Sequence, residues 1–339
     1  MNKSYIQDIA IYLPETIETN EDLQKEFPDK RMAAMKRLTG IGSRHISGPD
    51  LTAGDMCIQA AEKLFSQGKA DRNKIDYILF NTNAPDYITP PTSCIIQDKL
   101  KIPKGQANTV DITQGCCAYI TLLNLAKALI ESGSATNVLV LTGENSSWCV
   151  HKKDFANRLI FGDAGAATLV SNEKNGGLEI GKFKFGSDGE RHDKIIIKYG
   201  RARHMFPECI EPDFIDEEGN TRNHTKFHMD SAAIFNFGLE VVPDLIRHLS
   251  EINQIGPDEI DYYVPHQANK LVLDSVFKKS NIPLEKRVIE IEDVGNTISA
   301  SIPVTLKKMI DKEIPIFEKK IMLFAFGTGL IWGGTIIYP

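Results

Sequence analysis

The 339-residue sequence contains no apolar run that approaches the roughly 20 residues of a membrane-spanning helix. Its first residues, Met-Asn-Lys-Ser-Tyr-Ile-Gln-Asp, also lack the apolar stretch of a secretory signal. We therefore expect a cytoplasmic protein that does not bind a membrane.

Cysteine is scarce, with six residues at irregular spacing in the whole chain. In a chain without a secretory signal, such cysteines are not expected to form a disulfide framework. No cysteine pair has zinc-site spacing beside a histidine, so we predict no metal site. The six are Cys57, Cys94, Cys116, Cys117, Cys149 and Cys209.

Positive charge is in deficit, because 39 Lys and Arg residues face 45 Asp and Glu residues. The net charge of −6 argues against nucleic acid as the main partner. A hydrophobic content of 42% is typical of a globular protein. A length of 339 residues exceeds what one core normally fills, so we expect two domains or one large duplicated unit.

Several segments of the first half recur in the second half. Each recurring segment contains an apolar run or an Ile-Pro pair. The pairs are residues 74–81 with 259–266, 99–103 with 279–283, 138–143 with 322–327, and 6–13 with 178–185. We predict two duplicated halves, residues 1–172 and 173–339, which meet at a polar, turn-rich stretch.

Runs of Val, Ile and Leu alternate along the chain with helix-like segments such as residues 118–131. Apolar runs without polar alternation are typical of strands buried on both faces. This order of elements indicates an α/β fold. Residues 207–226 are acidic and polar, so we expect a surface excursion there.

Cys116 precedes residues 118–131, an apolar run without Gly or Pro that predicts a buried helix. The positive end of the helix dipole is expected to lower the Cys116 pKa toward the reactive thiolate. The alternative is that Cys116 and Cys117 are two small core residues. For Cys117, packing is the favoured interpretation.

His266 ends an apolar run, and Asn296 lies in a loop rich in small residues. A histidine at the end of a buried strand can act as an acid, a base or a hydrogen-bond donor. The carboxamide of Asn296 can donate to an oxyanion, although Gly-Asn is also a common turn pair. Cys116 and Asn296 are separated by the same interval as the two Ile-Pro pairs, so equivalent loops are expected to carry them.

Two glycine-rich segments do not predict phosphate binding. Residues 326–334 lack the GxGxxG spacing and the following helix of a dinucleotide loop. Residues 161–167, Phe-Gly-Asp-Ala-Gly-Ala-Ala, predict tight packing between layers.

Together these motifs resemble the thiolase superfamily, in particular its 3-oxoacyl-acyl-carrier-protein synthases of type III. The resemblance covers essentially the whole chain and is most specific at residues 264–269, Val-Pro-His-Gln-Ala-Asn, and 295–297, Gly-Asn-Thr. It implies a five-layered α-β-α-β-α fold built from two duplicated halves. It also implies a cytoplasmic homodimer with a catalytic triad of Cys116, His266 and Asn296.

The resemblance implies a reaction in two stages. Cys116 takes an acyl group from an acyl thioester, and the backbone N–H groups of Cys116 and Thr328 bind the oxyanion. A malonyl thioester then loses carbon dioxide, His266 and Asn296 stabilise the enolate, and a 3-oxoacyl thioester is released. Coenzyme A or the phosphopantetheine of an acyl carrier protein carries the substrates, and no metal or redox cofactor is required. The pathway is fatty-acid initiation or a specialised fatty-acid or polyketide-type route.

Further positions follow from the same resemblance. Thr89 lies on a loop that reaches the partner's acyl tunnel in this family. An acidic carrier protein requires a local basic patch, for which the candidates are Arg37, Lys270, Lys278 and Lys279.

The chain departs from the family where coenzyme A is usually bound. Typical members hold a tryptophan or a basic residue at each of these positions, and the sequence has Ala34, Leu38, Phe155, Asn236 and Leu271. Whether the donor is coenzyme A or a carrier protein therefore stays open.

Two alternatives to the condensing enzyme remain. The first is an acyltransferase that passes the acyl group from Cys116 to an alcohol or an amine without decarboxylation, with His266 as general base. The second is a non-catalytic subunit of a heterodimer, against which the intact triad argues.

Overall fold

The structure is a computed structural model that describes residues 2–205, 212–217 and 219–339. Its strands are β1 (Tyr5–Tyr12), β2 (Ile17–Thr19), β3 (Ser43–His45), β4 (Tyr77–Asn81), β5 (Asn108–Ile112), β6 (Asn137–Glu144), β7 (Ala164–Ser171), β8 (Leu178–Ile180), β9 (Lys184–Ser187), β10 (Ile195–Ile196), β11 (Phe214–Ile215), β12 (Thr221–Arg222), β13 (His228–Met229), β14 (Tyr262–Pro265), β15 (Ile321–Gly327) and β16 (Ile331–Tyr338). Its α-helices are α1 (Asn20–Glu26), α2 (Met32–Thr39), α3 (Ala53–Ser66), α4 (Thr92–Lys99), α5 (Ala118–Glu131), α6 (Ser146–Cys149), α7 (Phe155–Arg158), α8 (Ser231–Asn253), α9 (Lys270–Lys279) and α10 (Ser301–Asp311).

The strands of the two halves pair in the same way. In the first half, β4 is parallel to β6, and β6 is antiparallel to β7. In the second half, β14 is parallel to β15, and β15 is antiparallel to β16. The recurring segments of the sequence contain β4 with β14 and β6 with β15. Because β1 also pairs with β8, all these strands join one ten-stranded sheet, and the division at residue 172 stays a prediction.

The helices form three layers, which alternate with the strands of the first half and the strands of the second half. Helix α5 contacts β4 and β6 of the first half and also β15 and β16 of the second, whereas α10 contacts β1, β7 and β14. Helices α3 and α4 cover the outer face of the first half, and α8 and α9 cover that of the second. The predicted α/β fold with five α-β-α-β-α layers is therefore confirmed. The apolar surface of α5 follows from its position between two sets of strands.

Several parallel strands end at the same edge of the sheet. Within each half, the carboxyl ends of β4 and β6, and those of β14 and β15, lie side by side. Loops at the carboxyl ends of parallel strands commonly carry ligand sites in α/β proteins. Cys116, His266 and Thr328 all lie in loops that follow such ends.

Residues 207–211 and 218 of the predicted surface excursion, including Cys209, lie outside the described residues. Within the described part, Phe214 and Ile215 of β11 are exposed and pair with β12.

The other five cysteines are free thiols, in agreement with the predicted lack of disulfides. No helix in the described ranges is both long and apolar enough to cross a membrane.

Helix α3 packs so closely on β7 that Gly165 has no room for a side chain. A Cβ atom there would lie 2.4 Å from the carbonyl carbon of Met56. The prediction of tight packing at residues 161–167 therefore agrees with the structure. Close approach of two backbones is a common reason for glycine in a buried strand.

Replacing Gly165 by Ala is expected to lower the free energy of unfolding by about 1–3 kcal/mol, because α3 and β7 must move apart. Gly48→Ala is the matched control, since Gly48 is exposed and a Cβ there meets no atom within 4 Å. Urea unfolding of both variants measures the difference. Equal stability of the two variants would show that the packing can relax without cost.

Candidate active site

The three residues of the predicted triad line one cavity of about 60 Å³. Cys116, His266 and Asn296 share its surface with Thr328. The other walls are largely apolar and include Phe161, Phe227, Ile234, Phe235 and Val272. The structure thus brings together residues from loops that are distant in the sequence.

Cys116 lies between the end of β5 and the start of α5, directly before the N-cap residue Cys117. Its loop contacts the glycine turn that joins β15 to β16. A Cβ atom on Gly327 would lie 2.7 Å from the Cys116 Sγ, and one on Gly115 would lie 2.6 Å from the Thr328 Oγ1. Both positions therefore require glycine for the two loops to meet.

The predicted lowering of the Cys116 pKa is wrong for the free protein. Burial raises the pKa of this thiol to about 12, and the charge of Glu144 acts in the same direction. Hydrogen bonds from the backbone N–H groups of Thr328 and Cys116 oppose this shift. Desolvation therefore outweighs the stabilisation of the thiolate. These two N–H groups are the ones that the family resemblance assigns to the oxyanion.

His266 follows β14 and is 2% exposed. Its Nδ1 lies 2.7 Å from the Oγ of Ser301, and that Oγ accepts the Gln267 backbone N–H at 3.3 Å. The Ser301 hydroxyl can donate its hydrogen to Nδ1, and in this arrangement the ring hydrogen lies on Nε2. Burial lowers the His266 pKa to about 4, although a backbone hydrogen bond with Ile298 opposes this shift. The imidazole is therefore neutral near pH 7 and can donate through Nε2.

The orientation of Asn296 is set by its own loop. Its Oδ1 accepts the backbone N–H of Ile298 at 2.9 Å, which leaves the Nδ2 hydrogens for a ligand. Gly295 before it has φ +66°, and a Cβ there would lie 2.6 Å from the Ile160 carbonyl oxygen. Ile298 is β-branched and has φ +48°, a conformation that such residues rarely adopt. Backbone strain of this kind is frequent at functional sites.

A second cavity of about 250 Å³ adjoins the first. Phe161, Ile195, Phe227, Ile298 and Thr328 line both cavities. Additional walls come from residues at the end of β6 and from the loop after β4, namely Glu144, Asn145, Ser146, Cys149, Asn83 and Ala84. A chain attached to Cys116 therefore has an adjoining space to occupy.

Thr89 is not brought into the site within one chain. It is exposed and lines neither of the two cavities at Cys116. Asn83 and Ala84, on the same loop, line the second cavity instead. The proposed contact of Thr89 with an acyl group therefore requires a second copy of the chain, and it stays a prediction.

The four docking candidates are exposed on two neighbouring helices. Arg37 lies in the last turn of α2, Lys270 begins α9, and Lys278 and Lys279 end it. The helices approach closely, since a Cβ on Gly40 would lie 2.8 Å from the Lys270 Cβ. Lys270 forms an ion pair with Asp274 on its own helix, which reduces its availability to a partner.

The sequence analysis missed the polar residues that hold these groups in place. Ser301 binds the imidazole, and Glu144 is a carboxyl group with 1% exposure at the end of β6. The position of Glu144 at the end of an otherwise apolar strand was a signal that the sequence offered. No sequence signal pointed to Ser301, because its role depends on how α10 faces β14.

Comparisons with known proteins identify relatives along the whole chain. The family profile described as 3-Oxoacyl-[acyl-carrier-protein (ACP)] synthase III matches residues 110–189, and its C-terminal counterpart matches residues 251–338. A beta-ketoacyl-[acyl-carrier-protein] synthase III of Clostridium perfringens strain 13 is 32% identical over 338 residues, covering 99% of each chain.

Solved structures are similar over the same length. A crystal structure of a 3-oxoacyl-(acyl-carrier-protein) synthase III matches with a TM-score of 0.96 at 36% identity, covering 99% of this chain and 100% of the other. The priming beta-ketosynthase of the R1128 polyketide pathway matches with a TM-score of 0.85 at 24% identity, covering 100% and 97%. At 24% identity, the second match shows only that the two proteins have a similar fold.

The lowered pKa of His266 predicts a pH dependence of stability. An unfolded histidine takes up a proton below pH 6.5, whereas folded His266 does so only near pH 4. The unfolded state then binds more protons, so the wild type should lose stability, on the order of 3 kcal/mol, as pH falls across this window.

The variant His266→Asn has no such histidine. The difference in unfolding free energy between the wild type and this variant should therefore decrease as the pH falls from 6.5 to 4. Urea unfolding at several pH values measures it. His192→Asn controls for the loss of an exposed histidine. A difference between wild type and His266→Asn that does not change with pH would contradict the prediction.

Proposed function

Because this chain belongs to the 3-oxoacyl-[acyl-carrier-protein] synthase III family of condensing enzymes, we propose that it transfers an acyl group from a thioester to Cys116 and condenses it with a malonyl thioester. The observation that carries this proposal is that a thiol, an imidazole, a carboxamide and the backbone of a glycine turn line one cavity. These are the groups needed to hold an acyl intermediate and to stabilise two oxyanions.

In the first stage, the sulfur of Cys116 attacks the thioester carbonyl. The thiol proton passes to the sulfur of the leaving group during the attack, because burial disfavours both a lone thiolate and a protonated His266. The N–H groups of Cys116 and Thr328 lie at the sulfur and stabilise the tetrahedral oxyanion. The carbon–sulfur bond of the donor breaks, and the donor leaves as a thiol that carries this proton.

In the second stage, a malonyl thioester enters and its bond to the terminal carboxylate breaks. Carbon dioxide leaves, and the electron pair forms an enolate whose oxygen accepts hydrogen bonds from His266 Nε2 and Asn296 Nδ2. The enolate carbon attacks the acyl-Cys116 carbonyl, and the carbon–sulfur bond breaks to release a 3-oxoacyl thioester. The released Cys116 thiolate takes up a proton from water, so the two stages balance without a metal or redox group.

The partners follow from the same proposal. The thioesters are carried by coenzyme A or by the phosphopantetheine of an acyl carrier protein. The enzyme acts as a cytoplasmic homodimer, in which Thr89 of one subunit reaches the second cavity of the other. A cavity of about 250 Å³ has room for an acyl chain longer than acetyl.

The proposal is tested by intact-protein mass spectrometry after incubation with a panel of acyl-coenzyme A and acyl-carrier donors. We expect one acyl adduct on the wild type and none on Cys116→Ala, because only the thiol can form the intermediate. Adding malonyl-carrier protein should discharge the adduct with release of carbon dioxide and a 3-oxoacyl product. The donor that loads fastest identifies the starter.

The other outcomes distinguish the alternatives. An adduct that an alcohol or an amine discharges, but malonyl-carrier protein does not, would favour the ester- or amide-forming acyltransferase. The absence of an adduct from every donor would favour the non-catalytic subunit.

Docking of an acidic carrier protein predicts a charge effect at the end of α9. Reversing both charges in Lys278→Glu with Lys279→Glu should raise the KM for acyl-carrier protein about ten-fold at low salt, and less at high salt. Steady-state kinetics with carrier-bound substrate measures it. Lys174→Glu is the control, since Lys174 is exposed beside the far end of β7. An equal KM for all three proteins would place docking elsewhere.

A further inference from the structure

Glu144 is a buried carboxyl group without a role in the reaction scheme. It ends β6 with 1% exposure and lines the second cavity. Its carboxyl oxygens accept three hydrogen bonds, from the Ser299 hydroxyl at 2.7 Å, the Asn83 backbone N–H at 3.1 Å and the Asn81 side chain at 3.4 Å. No ion pair with a cation is found for it among the described residues. Buried charged groups are costly, so such an arrangement needs an explanation.

One set of contacts leads from Glu144 to the Cys116 loop. The Asn81 side chain donates to Glu144 and also to the Gln114 carbonyl oxygen at 2.9 Å. The Gln114 N–H donates back to the Asn81 Oδ1 at 2.9 Å. Asn81 therefore clamps the backbone two residues before Cys116, and Glu144 orients the Asn81 amide.

The other set of contacts leads to the Asn296 loop. Ser299 lies in the short 3-10 turn Ile298–Ala300 that directly follows this loop. Ile298, next to Ser299, donates its N–H to the Asn296 Oδ1 and so orients the carboxamide. The bond from Ser299 to Glu144 ties this turn to the end of β6, across 155 residues of sequence.

We propose that Glu144 is a positioning residue, whose single carboxyl group holds the Cys116 loop and the Asn296 loop in a fixed relation for condensation. The inference rests on the proposed function, because the relation matters most when the enolate held by Asn296 attacks the acyl group on Cys116. A small misplacement of reacting groups is enough to slow such a step substantially.

The same carboxyl group acts on the site through its charge. Burial raises the Glu144 pKa to about 8, and the nearby Asp163 adds to this, whereas the bonds from Ser299 and Asn83 favour the charged form. Its charge raises the pKa of Cys116, and likewise that of the Cys57 and Cys149 thiols. Removing the charge should therefore make Cys116 easier to ionise.

Two substitutions each remove a different part of the hydrogen bonding around Glu144. Ser299→Ala removes only the bond to the Asn296 loop. Glu144→Gln keeps the shape, but its amide NH₂ cannot accept a hydrogen bond, so one contact is lost along with the charge. Thr142→Val is the matched control on the same face of β6, because the buried Thr142 hydroxyl has no hydrogen-bond partner.

Loading of Cys116 and discharge of the preloaded enzyme by malonyl-carrier protein are measured separately. In Ser299→Ala, we expect discharge to slow about ten-fold and loading less than about three-fold. In Glu144→Gln, both steps should slow through kcat with little change in KM. Thr142→Val should keep both rates. A discharge rate in Ser299→Ala equal to that of Thr142→Val would overturn the proposal, as would rate losses that merely follow the Tm of each variant.

A second readout does not depend on turnover. Above about pH 8, where Glu144 is charged, iodoacetamide should alkylate Cys116 several-fold faster in Glu144→Gln than in the wild type. An unchanged rate would overturn the link between this carboxyl group and Cys116. A wild type that neither loads nor condenses would contradict the proposed function instead, and the alkylation rates would then decide the role of Glu144 alone.

Discussion

The contact between the Cys116 loop and the Gly327-Thr328 turn is the constraint on which the rest of the site depends. The cysteine comes from the first half of the chain and the turn from the second, and they meet without intervening side chains. Helices α5 and α10 lie between the two sets of strands and set their spacing. The Thr328 N–H must reach the Cys116 sulfur. Any side chain at Gly327 would push the two loops apart at this contact.

Burial controls the chemistry as strongly as geometry does. It raises the Cys116 pKa to about 12 and lowers the His266 pKa to about 4, so both groups are neutral in the free protein. A neutral pair costs less to bury than an ion pair with imperfect hydrogen bonds. In the proposed second stage, the neutral imidazole serves as a hydrogen-bond donor. This donor role needs the ring hydrogen on Nε2, the arrangement in which the Ser301 hydroxyl donates to Nδ1.

Much of the architecture could be predicted from local patterns. Apolar runs without alternation mark β4, β6 and β15, and their recurrence in both halves indicates the duplication. The positions of Cys116, His266 and Asn296 follow from motifs at the ends of such runs, and the structure places all three on one cavity. The direction of the Cys116 pKa shift was predicted wrongly, because the helix dipole can be inferred from a sequence whereas the depth of burial cannot.

By itself, the sequence determined the order of elements and the duplication, and it predicted the reactive groups, because each of these is expressed in short segments. Only the tertiary structure decided which groups touch. The Glu144 contacts with Ser299 and Asn81 join residues far apart in the chain, and no local pattern encodes their distance. The exposure of Thr89 is likewise decided by packing. Solvation and hydrogen bonding depend on every neighbouring layer, so the electrostatics of this site arise only after the chain has folded.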